Sequence, residues 1–275
     1  MPRLGTDVDR YLRREMLPTV WCPGCGNGSI AQALALALHR LGREPAQVAV
    51  VGGIGCSGRT PFYLHTNALH TTHGRALAFA TGLKMARPAL TVVVTSGDGD
   101  ALAIGGNHFL HACRRNLDIT LLLYNNAIYG MTGGQTAPTT PPGSRTTTSL
   151  GGSREHAFDT VALALAAGAT YVARTTTFDM QEMPLYIEQA LAHPGFAVVE
   201  IITQCPTYFG RLNRIGEGPD MLLWERDLTE TSSLATTGHD VAGSLPTGLF
   251  RQEVRPEYWA QQRSRVGAAG GAGHD

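Results

Sequence analysis

The sequence predicts an α/β fold with a mostly parallel sheet flanked by helices, and three observations carry that expectation. Short β-branched or leucine-rich runs, such as residues 90–95 (LTVVVT) and 119–124 (ITLLLY), read as strands buried on both faces. They alternate with stretches of helical composition, the order that builds a parallel sheet through crossover helices. Glycine makes up 33 of 275 residues and clusters where predicted strands end instead of forming a repeat. A chain of 275 residues and 29.3 kDa can bury one substantial core, so the expectation is one α/β domain with appendages.

Residues 1–20, charged and then punctuated by proline, read as an N-terminal arm, and residues 21–202 as the main domain. The domain opens on Trp21-Cys22-Pro23-Gly24-Cys25-Gly26, a CxxC turn, with Asn27 or Ser29 as a cap for a helix over 30–41. A strand over 48–51 ends in Gly52-Gly53-Ile54-Gly55-Cys56-Ser57-Gly58-Arg59, a glycine nest around a third cysteine. Residues 60–72 show no regular period and, with His65, His70 and His73 nearby, read as a loop. His73-Gly74-Arg75 opens a helix over 76–85 that stops ahead of Pro88. Strand 90–95, a helix over 101–114 and strand 119–124 follow. Residues 131–153, rich in Thr, Gly and Pro, start just past a predicted strand end and read as a cover over that edge in preference to a linker. Helix 158–167, strand 171–173, helix 179–192 and strand 197–202 complete the alternation. Residues 203–255 have weaker periodicity and form a C-terminal extension carrying Cys205, and residues 256–275 read as a disordered tail.

A formal net charge of zero and a pI near 7.1 give no support to a nucleic-acid partner or an anionic membrane surface. No apolar run approaches the roughly 18 residues of a membrane helix, and the charged start lacks the apolar core of a signal peptide. A cytoplasmic location is expected.

The chemistry concentrates between Gly97 and Gly130. Gly97-Asp98-Gly99-Asp100 leaves one predicted strand, and Asn125-Asn126 leaves the next, so a carboxylate and two amides emerge from adjacent strand ends, where ligands bind in open parallel sheets. Asp98 offers a hard anionic oxygen and Asn125 or Asn126 a neutral one, while Gly97 and Gly99 let backbone amides approach a bound anion. Oxygen ligands with few charges suit Mg²⁺ shared with phosphates. As dipeptides, GDG and NN would otherwise be turn signals only.

Five cysteines occur, at positions 22, 25, 56, 113 and 205. Four lie in turns beside Gly or Pro. Cys113 falls inside a predicted helix and reads as a small buried hydrophobe. A CxxC pair in a cytoplasmic protein indicates metal binding or redox chemistry, and four thiolates can hold zinc or an iron–sulfur cluster. Spacing alone does not choose between these and no metal at all.

GDG followed by NN after some 25–30 residues resembles the thiamine diphosphate signature. In enzymes of that kind the GDG aspartate, the final asparagine and a backbone carbonyl two residues later bind the metal. Carried onto this chain, the Mg²⁺ ligands are Asp98, Asn126 and the carbonyl of Ile128. More broadly, WCPGCG, GIGCSGR, THGRA, GDGDALAIGGNHFLHACRRN, NNAIYGMTGGQTAPTTPPG and EIITQCPT together resemble the beta subunits of the 2-oxoacid:ferredoxin oxidoreductases, over about residues 10 to 255. The resemblance implies a thiamine diphosphate-binding fold and one [4Fe-4S] cluster held by Cys22, Cys25, Cys56 and Cys205. It implies cofactor contacts from Ser57, His73, Gly97, Asp98, Gly99, Asp100, Asn126, Ile128 and Gly130, with Arg59 and His73 as catalytic candidates.

The reaction so implied is oxidative decarboxylation of a 2-oxo acid with coenzyme A, with electrons passing through the cluster to ferredoxin. The spellings LPTVWCPGCGNG and YGMTGGQ look most like members acting on 2-oxoglutarate, which would give succinyl-CoA and CO₂. Some relatives carry Lys where this chain has Gly133, so Arg59, Arg145 or a partner residue would meet the distal carboxylate, or the substrate is pyruvate or a branched-chain oxo acid. A nonoxidative thiamine decarboxylase would have no use for four cluster-spaced cysteines. From Pro45 to Gly97 the sequence contains no Asp or Glu, so the base that starts the thiamine proton relay is expected on a second polypeptide, the alpha subunit, in a dimer of alpha-beta units.

Overall fold

The computed structural model describes residues 8–231 and 245–262. Its strands are β1 Val48–Gly52, β2 Asn67–His70, β3 Thr91–Gly97, β4 Ile119–Asn125, β5 Ile128–Tyr129, β6 Gln135–Thr136, β7 Tyr171–Thr176, β8 Phe196–Ile202, β9 Thr229–Thr231 and β10 Leu245–Gln252. The helices are α1 Asn27–Arg40, α2 Thr60–Tyr63, α3 Ala76–Ala86, α4 Gly106–Arg115, α5 Thr160–Ala167, α6 Glu182–Ala192 and α7 Gly218–Leu228. Eight strands form one sheet in the order β2-β1-β3-β4-β8-β7-β10-β9, and every pair is parallel except β7 with β10.

The continuous apolar runs are explained by burial on both faces. Val93, Leu122, Val199 and Ala173 point to the side covered by Ile30, Leu34 and Leu38 of α1 and by Met183 and Ile187 of α6. Their neighbours Val92, Val94, Leu121, Leu123, Val172 and Val198 point the other way, onto Leu77 of α3, Phe109 and Cys113 of α4 and Val161 of α5. Alternation in space without alternation in hydrophobicity is what a doubly covered sheet requires.

Several expectations are corrected. Residues 60–72 are not a loop: α2 and β2 lie there, and β2 is an exposed edge strand whose pairing to β1 is reinforced by the Asn67 amide bonding the carbonyls of Ala46 and Val48. With all four residues exposed, it carries no hydrophobic period. The single helix over 101–114 is two pieces, a π-helical turn Gly99–Ile104 and then α4. The break is steric as well as conformational, since the Gly105 N–H bonds the Asp100 carbonyl and a Cβ on Gly105 would lie 2.4 Å from that oxygen.

The second half of the expected arm is docked: Tyr11 is fully buried, and its hydroxyl donates to the Arg43 carbonyl. The extension supplies α7, β9 and β10, with β10 inside the main sheet. The disordered tail does not begin at 256, because Asn116 bonds the carbonyls of Arg255 and Pro256 and Tyr258 packs against the core. Residues 1–7 of the arm and 263–275 of the tail lie outside the described residues. Among the described residues no helix is long and apolar enough to cross a membrane.

Candidate functional site

The register places the chemistry at one edge of the sheet. Gly97 at the end of β3 lies opposite Tyr124 on β4, so Asp98 and the Asn125-Asn126 turn leave adjacent parallel strands side by side. There a cavity of about 150 Å³ is lined by Ser57, His73, Gly97, Asp98, Gly99, Asp100, Asn126, Ile128 and Gly130, together with Asn27, Cys56 and Tyr129. All nine residues expected to contact a cofactor therefore border one cavity. Arg59 does not: its guanidinium sits over the Phe62 ring, 5.6 Å from the centroid.

Asp98 is 2% exposed. Burial pushes its carboxyl up to about 7, against the hydrogen bonds from the Thr139 hydroxyl and the Gly99 amide that favour the ionised form. Among the described residues no basic side chain pairs with it, so an added cation would offset the cost of burying its charge. Opposite it, the Asn125 and Asn126 side-chain oxygens accept from the amides of Ala127 and Ile128, at 3.1 and 3.2 Å, which holds the turn through Ala127 at φ 59°.

The two aspartates of the GDGD run have different surroundings. Asp100 Oδ1 accepts from Ile54 N (3.3 Å), Gly74 N (2.7 Å) and His73 Nδ1 (2.5 Å), and its Oδ2 accepts from Ser96. Its carboxylate ties the β1, β3 and His73 loops together, and a Cβ on Gly53 would lie 1.7 Å from it. The bond to Asp100 occupies His73 Nδ1 and leaves Nε2 as the ring's other nitrogen.

Four of the five cysteines share a neighbourhood. Trp21 Nε1 donates to the Cys56 carbonyl at 2.8 Å, joining the CxxC turn to the glycine nest. On the other side, Gly24 abuts Gly218 of α7, where a Cβ on either would collide with the other's backbone. Burial raises Cys25 to about 12 and Cys56 to about 11, and it raises Cys205 as well. Each of these three thiols also feels the charge of Cys22. A Cβ on Gly130 would lie 3.4 Å from Cys205 Sγ and 4.0 Å from Cys56 Sγ, so the sulfurs border the cavity of Asp98. Cys113 is fully buried in the opposite core layer. Among the described residues, no three or more His, Cys, Asp or Glu side chains are arranged to hold a single metal ion.

Three residues at the site carried no site assignment in the sequence, and Asn27, expected with Ser29 as a candidate helix cap, is instead the first residue of α1 after Gly26. Asn27 is 1% exposed, lines the cavity, and leaves its Nδ2 donor without a partner, as an anionic ligand would require. Its place directly after the CxxCG turn is the one local hint. Thr139 reaches Asp98 from 41 residues away, and the Tyr129 hydroxyl donates to the Gly99 carbonyl at 3.0 Å. Neither has a local signal, but the Thr139 contact agrees with residues 131–153 as a cover.

Residues 53–201 match the family described as thiamine pyrophosphate enzyme, C-terminal TPP binding domain. The chain is 58% identical over 248 residues to the 2-oxoglutarate synthase subunit KorB of Archaeoglobus fulgidus, covering 90% of each protein. It is 46% identical over 251 residues to the KorB subunit of Methanocaldococcus jannaschii, covering 90% of this chain and 93% of that protein. The solved 2-oxoglutarate:ferredoxin oxidoreductase from Magnetococcus marinus, with 2-oxoglutarate, coenzyme A and succinyl-CoA bound, aligns with a TM-score of 0.87 and 35% identity, over 98% of this chain and 94% of that one. With the buried Asp98, the asparagine turn and the adjoining thiols in one place, the chain belongs to the beta subunits of the 2-oxoacid:ferredoxin oxidoreductases, within the thiamine pyrophosphate enzymes.

Proposed function

We propose that this chain binds the diphosphate end of thiamine diphosphate through Mg²⁺, carries one [4Fe-4S] cluster, and serves the oxidative decarboxylation of 2-oxoglutarate with coenzyme A and ferredoxin. One observation carries the reading: the cavity walled by Asp98, Asn126 and Ile128 also contains Cys56, and its Gly130 wall adjoins Cys205. A metal-diphosphate site and an electron acceptor would then be neighbours.

Asp98, the Asn126 side-chain oxygen and the Ile128 carbonyl would hold Mg²⁺, an oxygen set with one charge that leaves room for phosphate ligands. Ser57, the Asn27 amide and His73 supply polar contacts around the same cavity, and Gly97, Gly99 and Gly130 let the backbone come close. Thiamine diphosphate supplies the carbanion chemistry at the keto carbon, and the cluster takes the electrons singly. Cys25, Cys56 and Cys205 each feel the charge of Cys22, so the four thiols lie near one another, and the choice of a cluster over one tetrahedral ion rests on the family. Desolvation disfavours free thiolates here, so the cluster's own charge is what would keep them ionised.

Among the described residues the carboxylates lining the cavity are Asp98 and Asp100, and Asp100 is fully hydrogen-bonded. The glutamate that starts the proton relay is therefore assigned to an alpha subunit, in a dimer of alpha-beta units kept in the reducing cytoplasm. Gly133 has φ 117°, where a lysine would be strained. The contact to a distal carboxylate is then left to Arg59, Arg145 or the partner.

The test is anaerobic purification with the alpha subunit, iron and thiamine analysis, and viologen reduction over a panel of 2-oxo acids with coenzyme A. Preference for 2-oxoglutarate, a brown cluster chromophore and loss of turnover without the partner are expected. Preference for pyruvate would reject the substrate, zinc without iron would reject the cluster, and full activity of the chain alone would reject the shared site.

A further inference from the structure

The carboxyl ends of β4, β7 and β8 frame a second cavity of about 340 Å³, which shares Asn126 with the first and reaches Thr139, the partner of Asp98. A row of polar side chains crosses its wall. Asp159 Oδ1 caps α5 through the amides of Val161 and Ala162 and accepts from Arg174 Nη2 at 2.7 Å. Arg174 Nε donates to Glu200 Oε2 at 2.6 Å, and Glu200 Oε1 accepts from Asn125 Nδ2 at 2.8 Å. The register makes this possible: Arg174 and Leu123 both lie opposite Glu200, so Asn125, two residues beyond Leu123, lies on the same face.

Arg174 and Glu200 are 1% and 2% exposed. A buried ion pair is a poor source of stability, because desolvation offsets most of the attraction and apolar residues would pack as well. What this pair does provide is a fixed acceptor for Asn125. That amide borders open space, so packing alone does not set its orientation. It is fixed at both ends, by Glu200 at Nδ2 and by the Ala127 N–H at Oδ1. Ala127 has the left-handed φ of 59°, a conformation that costs a non-glycine residue energy and needs such support. The next carbonyl along is that of Ile128.

We infer that Glu200, held by Arg174, is a positioning residue that acts through Asn125 to fix the turn presenting Asn126 and the Ile128 carbonyl to the metal. The inference rests on the reading of Asp98, Asn126 and Ile128 as metal ligands. Glu200 lines the second cavity and not the one that holds Asp98. Its charge also reaches Asp98, a separate route that would persist if Asn125 were removed.

The experiment measures Mn²⁺ affinity, from the loss of the free-ion electron paramagnetic signal with thiamine diphosphate present. It uses the full chain copurified with its partner subunit, with the melting midpoint of the metal-free protein read alongside. Asn125→Ala and Glu200→Gln should each weaken Mn²⁺ binding about tenfold, the scale seen when an outer contact orienting a metal ligand is lost. The double variant should be no weaker than Glu200→Gln alone, because Glu200→Gln already cuts the path through Asn125. Unchanged Mn²⁺ affinity in Asn125→Ala, with or without a lowered melting midpoint, overturns the inference. So do single effects that multiply to roughly a hundredfold in the double variant. Asn125→Ala leaves the Arg174–Glu200 pair intact, so it decides the matter if Glu200→Gln fails to fold. Asn126→Ala is the reference: if it too binds Mn²⁺ normally, the ligand reading fails and the inference with it.

Discussion

Glu225 on α7 offers a direct measurement of how the extension is held against the cysteine loops. It is fully buried. Burial raises its carboxyl from the ordinary 4.5 to about 8, with hydrogen bonds from Thr177 and the Phe178 amide opposing the rise. The Thr177 hydroxyl lies 2.9 Å from both Gln204 Oε1 and Glu225 Oε2, which ties α7 to the residue immediately before Cys205. Below pH 4.5 the folded and unfolded states are equally protonated at this site. As pH rises toward 8 the unfolded state ionises first, so the fold loses about 1.4 kcal/mol per pH unit, and the loss is complete above 8. Glu225→Gln keeps the shape and the acceptor but does not titrate. Its stability relative to the native chain should therefore rise by about 4 kcal/mol between pH 5 and pH 9, or roughly 10 °C in the melting midpoint. Urea unfolding of both proteins at pH 5, 7 and 9 reads this directly. A difference that stays constant across that range would refute the claim that Glu225 folds as a neutral acid.

Asp98→Ala should weaken Mg²⁺-dependent thiamine diphosphate binding by more than about 100-fold, beyond the range of outer-contact changes, and a circular dichroism titration with the cofactor checks it. Cys205→Ser should lower bound iron and the broad absorption near ~400 nm that cluster thiolates give, whereas Cys113→Ala should leave iron unchanged and cost about 1 kcal/mol through a small core cavity, both read by iron analysis with thermal melts. Gly99→Ala would place a methyl group 2.4 Å from the Tyr129 ring. It should cost about 1–3 kcal/mol by overpacking, seen as a lowered melting midpoint even without cofactor.

The strands that form the core were legible because each is a short apolar run buried on both faces, and helices such as α1, α3 and α6 because the stretches between those runs have helical composition. The edge strand β2 was not legible, since an exposed strand has no apolar face to mark it. The break at Gly105 was hidden because composition does not reveal a collision with the Asp100 carbonyl. At the site, Asp98, Asn126 and the four cysteines could be picked out because glycine turns and CxxC spacing are local signals. The direction of Arg59 was not legible: its position in the GCSGR run is local, but the helical turn Ser57–Arg59 sets its guanidinium over Phe62.

By itself, then, the sequence determined the alternating architecture, the strand-end location of the chemistry and the family, all properties written in runs of neighbouring residues. Only the tertiary structure decided which aspartate is buried with few hydrogen bonds and which is spent on loop bracing. It alone brought Thr139 to Asp98, the extension to the CxxC turn, and Arg174 and Glu200 to Asn125. Those contacts join residues 26 to 194 positions apart, through register and packing that no local pattern encodes.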